Sequence, residues 1–217
     1  MSNLKTLIVY YSSTGANYQL ATWAGEAAES ESTEVRLRKV AELAPASAIE
    51  KNPAWKKHSE ATAQIPIATL QDLEWADVYI FSIPTRYGNV PAQIKQFLDA
   101  TGELWQKGKL ANKVVTAMSS AVNPHGGQEE TILALYTTMY HWGAIVVAPG
   151  YTDPITFKAG GNPYGTSVSV DEQGNMKEDV RDAVKYQAKR AITVAQWIKS
   201  GATEKVSRRE PSETTIA

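Results

Sequence analysis

The 217-residue chain is predicted to form an α/β domain with a doubly wound parallel sheet covered by helices on both faces. Short apolar runs alternate with segments whose apolar residues recur at three- and four-residue spacing. Several of the runs end in loops rich in small or polar residues. Ligands of such sheets bind beyond the carboxyl ends of the strands, so these loops are the candidate site.

The elements can be predicted in chain order. An apolar run at residues 7–11 is the first strand, and Leu20, Trp23, Ala24 and Ala27 mark one face of the helix that follows. Residues 33–40 are the second strand, and residues 42–66 are a polar, proline-containing surface excursion with at most a short helical turn. The later elements are strands at 78–83, 114–119 and 144–148, alternating with helices at 91–102, 128–140 and 179–199.

Residues 1–200 are predicted to be a single domain, interrupted by the insertion at about 42–66. The polar segment 201–217 is predicted to be a mobile tail.

Composition excludes several classes of function. Lys and Arg number 22 against 23 Asp and Glu, which does not favour binding to nucleic acid or to an anionic membrane. The absence of cysteine excludes disulfides and zinc–thiolate sites, and His58 and His125 have no partner histidine or carboxylate at metal-ligand spacing, so no metal site is expected. Without a signal-peptide pattern or a long apolar run, we expect a soluble cytoplasmic protein that does not insert into membranes.

The loop after the first strand has the composition of an anion site. Residues 12–17 read Ser-Ser-Thr-Gly-Ala-Asn and lead directly into a helix, whose first N–H groups are free and carry partial positive charge. The loop lacks the Lys of a P-loop and the three glycines of a dinucleotide fingerprint. Phosphate binding is one interpretation, and a turn whose hydroxyls only cap the helix is the other.

Two further loops follow the third and fourth strands. Residues 84–89 read Pro-Thr-Arg-Tyr-Gly-Asn, and residues 119–128 read Ser-Ser-Ala-Val-Asn-Pro-His-Gly-Gly-Gln. Because the carboxyl ends of parallel strands share one edge, all three loops should converge on one crevice.

These motifs resemble those of a known family. Residues 10–15 resemble the phosphate loop of flavodoxin-like proteins. The segments 84–89 and 97–105, the latter reading Phe-Leu-Asp-Ala-Thr-Gly-Glu-Leu-Trp, resemble two signatures of the WrbA family of FMN-dependent NAD(P)H:quinone oxidoreductases. Gly-Gly-Gln-Glu at 126–129 and Gly-Gly-Asn-Pro-Tyr-Gly at 160–165 are similar to further motifs of that family.

The resemblance implies a flavodoxin-like fold with five parallel strands in the order 2-1-3-4-5. It implies FMN as cofactor, NAD(P)H as electron donor, a quinone as substrate and a homotetramer. Because the flavin carries the chemistry, no catalytic side chain is expected. One set of loops beside one ring predicts that donor and acceptor alternate in a ping-pong reaction.

The residues of the site follow from the matched motifs. The cofactor residues implied are Ser12, Ser13, Thr14, Gly15, Ala16, Asn17, Pro84, Thr85, Arg86, Tyr87, Gly88, Asn89, Ser119, Ser120, Ala121, Asn123, Gly126, Gly127 and His141. Residues 85–87 are expected along the isoalloxazine ring, and His141 is expected to reach the flavin region of a neighbouring subunit. The substrate residues implied are Thr14, Tyr87, Trp105 and Tyr151.

Some of these residues have ordinary structural alternatives. Arg86 is also compatible with a surface position, Trp105 with core packing and His141 with capping of a helix end. Thr14 stands where the family often has an aromatic residue, and the loop at 121–125 is one residue longer than is usual. A flavodoxin-type electron carrier and a flavin-binding regulatory protein are the alternative functions.

Overall fold

The apolar runs of the sequence form the centre of a parallel sheet in the computed structural model, which describes residues 4–201. The strands in this range are β1 (Lys5–Tyr10), β2 (Glu34–Lys39), β3 (Val78–Pro84), β4 (Val114–Ala121), β5 (Ile145–Val146) and β6 (Ser167–Ser169). The helices are α1 (Ala16–Ser30), α2 (Ala46–Glu50), α3 (Pro53–Ala61), α4 (Leu70–Trp75), α5 (Ala92–Asp99), α6 (Gly102–Gln106), α7 (Gln128–Trp142), α8 (Ile155–Lys158) and α9 (Arg181–Gly201).

Five strands pair in parallel in the order β2-β1-β3-β4-β5, which confirms the predicted topology. In the register of the central strands, Ile8 lies beside Ile80 and Ile80 beside Thr116. Every residue of β3 and β4 is buried, because helices cover both faces of the sheet. A sixth strand, β6, was not predicted; its three residues pair with the end of β4.

The two layers of helices enclose separate apolar clusters. On one face, α1 and α9 cover residues such as Ile8, Ile80 and Met118. On the other face, α4, α5 and α7 cover residues such as Val9 and Phe81. The alternation of side chains along each strand therefore divides the core between the two faces.

Some boundaries differ from those predicted. The single helix expected at 91–102 is replaced by α5 and α6, and the strand expected at 144–148 is only two residues long. The excursion at 42–66 contains two helices; α3 begins at Pro53, and Oδ1 of Asn52 accepts from the N–H of Trp55 at 3.1 Å. Most of the predicted tail lies outside the described residues.

No helix within residues 4–201 combines the length and the apolar character needed to cross a membrane.

Candidate functional site

The loop between β1 and α1 presents uncharged hydrogen-bond donors at the start of a helix. Gly15 precedes α1 with a φ of +108°, which residues with a side chain rarely adopt. Its N–H donates to Oγ of Ser12 at 2.9 Å and closes the turn. The N–H groups of the first turn of α1 have no acceptor within the helix. The loop therefore has donors suited to an anion.

Asn17 ties this loop to two strands. Its side chain is buried; Nδ2 donates to Oγ of Ser120 at 2.8 Å, and its backbone oxygen accepts from Oγ of Ser82 at 2.8 Å. Both Asn17 and Ser120 are predicted cofactor residues. These hydrogen bonds hold the start of α1 against β3 and β4, which is a positioning role.

The loop after β3 is a tight turn with Tyr87 at its tip. The N–H of Arg86 donates to the oxygen of Asn89 at 2.9 Å, and the reverse bond measures 3.0 Å. Tyr87 and Gly88 between them have φ values of +53° and +74°, and positive φ at both central residues is typical of a two-residue hairpin turn. The Tyr87 side chain is fully exposed, available to a ligand above the turn.

Thr85 fixes the base of this turn against β4 and α7. Its N–H donates to the backbone oxygen of Ser120 at 2.9 Å. Its hydroxyl accepts from the N–H of Gly88 at 3.1 Å and from the hydroxyl of Thr131 at 2.7 Å. The predicted cofactor residue Thr85 thus has its hydroxyl engaged within the protein.

The loop after β4 approaches the same turn so closely that glycine is required at 127, and glycine is also required at 126 by contacts within the loop itself. A methyl group added at Gly127 would lie 2.6 Å from Cα of Gly88, and Gly127 has a φ of +90°. A methyl group at Gly126 would lie 2.4 Å from Cβ of Ala121. Cβ atoms essentially never approach other atoms this closely, so the absence of a side chain at Gly127 lets the two loops touch.

The other predicted residues of this loop have different environments. Ser119 is fully buried, and its Oγ has no hydrogen-bond partner within residues 4–201. Asn123 shapes the loop instead: its Oδ1 accepts from the N–H of His125 at 3.0 Å, and its backbone oxygen accepts from Nε2 of Gln128 at 3.0 Å.

The Arg86 side chain connects the turn after β3 to the loop after β1. Nη2 donates to Oγ of Ser13 at 3.2 Å, and Nη1 donates to the backbone oxygen of Thr85 at 3.0 Å. The guanidinium carbon also lies 6.0 Å from the centre of the Tyr11 ring. The charge of Arg86 is therefore placed at the predicted phosphate loop, which the sequence motif alone does not indicate.

A hydrogen-bonded cluster of Tyr11, Glu42 and Gln93 supports Ser13. The Tyr11 hydroxyl donates to Oε2 of Glu42 at 3.1 Å and accepts from Nε2 of Gln93 at 2.9 Å. Ser13 Oγ lies 3.4 Å from the same hydroxyl. Burial and, to a smaller extent, the negative charge of Glu42 raise the pKa of Tyr11, so the phenol stays protonated at neutral pH. Sequence reasoning missed Glu42 and Gln93, which are distant along the chain from the loop they support.

Thr14 is covered by a turn near the end of the chain. A methyl group added at Gly174 would lie 2.3 Å from Oγ1 of Thr14. Asp171 holds this turn by accepting from the N–H groups of Gln173 and Asn175 at 2.9 and 2.8 Å. Sequence reasoning did not identify this turn or its contact with Thr14. Contact between Thr14 and substrate, expected from the resemblance, stays a prediction.

A cavity of about 670 Å³ opens beside the turns after β3 and β4. Its lining includes Tyr87, His125, Gly160, Asn162 and Glu178. Three carboxylates, those of Glu129, Glu130 and Glu178, line it without any lysine or arginine among the described lining residues. The volume is suited to a small aromatic ligand.

Of the predicted site residues, only Tyr87, Gly88, Gly126 and Gly127 line this cavity, and three others also lie outside the three loops. Nε1 of Trp105 donates to the backbone oxygen of His141 at 2.8 Å, and the Trp105 side chain is half exposed. Tyr151 stacks on Phe157, with ring centroids 4.9 Å apart, and both are exposed. None of Trp105, His141 and Tyr151 is among the described residues that line the cavity, so a single chain does not bring the whole predicted set together.

Comparisons with known proteins agree on the kind of protein. Residues 5–153 match the family model described as NADPH-dependent FMN reductase. A protein of Deinococcus radiodurans named "NAD(P)H dehydrogenase (quinone)" is 48% identical over 189 residues, covering 87% of this chain and 94% of that protein. A protein of the same name from Geotalea uraniireducens is 40% identical, covering 88% and 98%.

A solved structure supports the fold. The "flavodoxin, WrbA-like protein from Agrobacterium tumefaciens" superposes with a TM-score of 0.61 at 21% identity, covering 90% of this chain and 99% of that protein. At that identity the similarity shows the fold alone. The family match and the relatives go further: this chain belongs to the NADPH-dependent FMN reductase family and is homologous over most of its length to proteins named NAD(P)H dehydrogenase (quinone).

Proposed function

We propose that the protein binds FMN and uses it to reduce quinones with NAD(P)H in a two-electron reaction. The family description and the names of the relatives support this activity. The observation that carries the proposal is the convergence of three loops, joined by contacts between Arg86 and Ser13, Thr85 and Ser120, and Gly88 and Gly127.

The donors of the first loop fit the phosphate monoester of FMN. Hydroxyls of Ser12 and Ser13, free N–H groups at the start of α1 and the Arg86 guanidinium lie together. They supply hydrogen bonds and one positive charge to the phosphate. The predicted cofactor residues of all three loops are proposed on this basis.

Bound FMN would supply the redox chemistry, namely hydride acceptance from a nicotinamide and transfer of two electrons to a second substrate. The role of the chain's own residues is to bind and orient the cofactor and the substrates. Tyr87 and Gly88 of the turn after β3 and the glycines at 126 and 127 line the cavity close to one another. The exposed Tyr87 ring offers a stacking surface for a flat substrate.

The cavity beside these turns favours a ping-pong order of reaction. Because donor and acceptor would occupy the same space, the first product has to leave before the quinone binds. Initial rates measured at several quinone concentrations should then give parallel double-reciprocal lines against NAD(P)H. Converging lines would indicate that both substrates bind together and would refute this order.

We further propose that the protein acts in the cytoplasm as a homotetramer. Exposed aromatic rings of Trp105, Tyr140, Tyr151 and Phe157 support self-association, since large apolar side chains are enriched in interfaces. His141, next to Tyr140 and bonded through its backbone to Trp105, would then reach a neighbouring site. Light scattering of the full chain tests the mass, and a monomer would refute the tetramer.

The activity is tested with purified protein loaded with FMN. NADH and NADPH oxidation is followed with and without a benzoquinone or naphthoquinone acceptor. We expect oxidation that depends on both FMN and quinone. A yellow protein that is inactive with every quinone, but exchanges electrons with protein partners, would instead support an electron carrier.

A further inference from the structure

His58 lies against the loop proposed to hold the FMN phosphate. It belongs to α3, within the polar excursion at 42–66. A methyl group added at Gly15 would lie 3.5 Å from Nδ1 of His58, so the imidazole is in contact range of the middle of the loop. The ring also packs on Tyr18 of α1, with ring centroids 5.6 Å apart.

The surroundings of His58 favour its neutral form. Burial and the Lys39 ammonium lower the pKa of His58. Lys39 enters from β2 and donates to the backbone oxygen of Thr62 at 2.7 Å. The ring of Tyr18 from α1, which packs on His58, is an uncharged phenol. Within residues 4–201 the imidazole has no hydrogen bond or ion pair. No carboxylate there compensates a charge on His58, so in the protein without cofactor the ring is neutral at pH 7.

A phosphate bound by the loop would favour the protonated form of His58 instead. An anion held by the N–H groups around Gly15 is adjacent to His58, and a nearby negative charge favours the imidazolium. Arg86, on Ser13, provides one fixed positive charge, whereas a phosphate monoester carries close to two negative charges at pH 7. His58, in contact range of Gly15, is placed to supply a further positive charge if it takes up a proton.

We propose that His58 is a phosphate-sensing residue of the FMN site, neutral in the empty protein and protonated when the phosphate is bound. This inference rests on the proposed function, because it requires FMN in the loop. It assigns to the 42–66 excursion a role in cofactor affinity. It also makes FMN binding depend on pH in a way that riboflavin binding, without a phosphate, does not share.

The sign of the effect follows from the two pKa values. Below the pKa of the empty protein His58 is already charged, and its contribution to FMN affinity is constant. Between that pKa and the higher value of the complex, binding takes up a proton and affinity falls as pH rises, by at most tenfold per pH unit. Above both values the contribution is lost.

The first test measures dissociation constants by quenching of flavin fluorescence between pH 6 and pH 9. His58→Gln should weaken FMN binding about tenfold at pH 6, with the difference closing towards pH 9, and should leave riboflavin binding unchanged. Lys57→Gln is the matched control: it removes a charge from an exposed neighbour on α3 and should change FMN binding less than twofold. Equal FMN profiles for wild type and His58→Gln would overturn the proposal.

The second test uses only the wild-type protein, which covers the case that His58→Gln does not fold. Calorimetry in buffers of different ionisation enthalpy counts the protons taken up on binding. FMN should take up more protons than riboflavin within the range from pH 6.5 to pH 8; no excess at any pH in that range would refute the role of His58. Failure to bind any flavin would instead refute the proposed function.

Discussion

Nη2 of Arg86 lies 3.2 Å from Oγ of Ser13, so a charge carried by the turn after β3 is placed on the loop after β1. The two residues are 73 positions apart in the chain. The contact makes Arg86 a bridge between the loops at the carboxyl ends of two adjacent strands. The side chain and the backbone of Arg86 therefore have different roles. The side chain contacts the loop after β1, whereas the backbone shapes the turn beside the cavity.

We expect Arg86→Ala to weaken FMN binding about tenfold, since hydrogen bonds to charged groups contribute about 1.5–3 kcal/mol and this one is partly solvated. Riboflavin affinity should change little, because the side chain points to the phosphate loop. Fluorescence titration measures both constants. Arg181→Ala, which removes an exposed arginine paired with Glu26, is the control and should change neither. An equal loss of riboflavin affinity would place Arg86 at the ring instead.

Gly127→Ala should destabilise the protein by roughly 1–3 kcal/mol and weaken flavin binding. The added methyl group would meet Cα of Gly88 at 2.6 Å, and the φ of +90° is strained for alanine. Thermal unfolding and fluorescence titration measure the two effects. Gly102→Ala is the control, because nothing lies within 4 Å of its added methyl group. Equal stability of Gly127→Ala and Gly102→Ala would contradict the close contact between the two loops.

Asp72 links β2 to α4 and should make stability depend on pH. Its carboxylate lies 3.0 Å from Nη1 of Arg36 and 3.3 Å from Nε of Arg38, and it accepts from the N–H of Thr69 at 3.1 Å. Burial alone would raise the pKa of Asp72, but the hydrogen bonds from Thr69 and the two arginines outweigh it and lower the pKa.

Because the pKa of Asp72 is lower in the folded state, its stabilisation is present above the unfolded pKa of about 3.9 and is lost as pH falls through the folded value. Asp72→Asn should cost roughly 2–4 kcal/mol at pH 7. Urea unfolding at a series of pH values should show this difference shrinking below pH 4. The exposed Asp99→Asn serves as control. A difference that is constant down to pH 2 would contradict the assignment.

The sequence was sufficient for the parts of the fold that depend on local pattern. The β1, β3 and β4 runs and the loops that end them could be placed because burial on both faces leaves continuous apolar segments. The strand β6 could not, since its three residues are defined only by pairing with β4.

Within the candidate site, too, local turns could be predicted from the sequence and tertiary contacts could not. The motif at 84–89 identifies a shaped turn, but the direction of the Arg86 side chain depends on Ser13, which is remote in sequence. The helix α3 lies in a polar segment with little periodicity, and the position of His58 beside Gly15 is a tertiary contact without a local signal.

The cavity should discriminate between quinones by charge. Glu129, Glu130 and Glu178 line it, with no lysine or arginine among the described lining residues. A sulfonated naphthoquinone would bring a negative charge towards these carboxylates, whereas the parent naphthoquinone would not. We expect kcat/KM for the sulfonate to be about tenfold lower after correction for its redox potential, and the gap to narrow at high salt because ions screen the repulsion.

Glu178→Gln tests the origin of this selectivity. Oε2 of Glu178 accepts from the N–H of Ser169 at 2.7 Å, and glutamine keeps a carbonyl oxygen for that bond while removing the charge. The variant should raise kcat/KM for the sulfonate several-fold and leave the neutral quinone nearly unchanged. Glu172→Gln, on an exposed turn outside the cavity lining, should affect neither. If both variants changed the sulfonate equally, the selectivity would come from overall charge and not from the cavity.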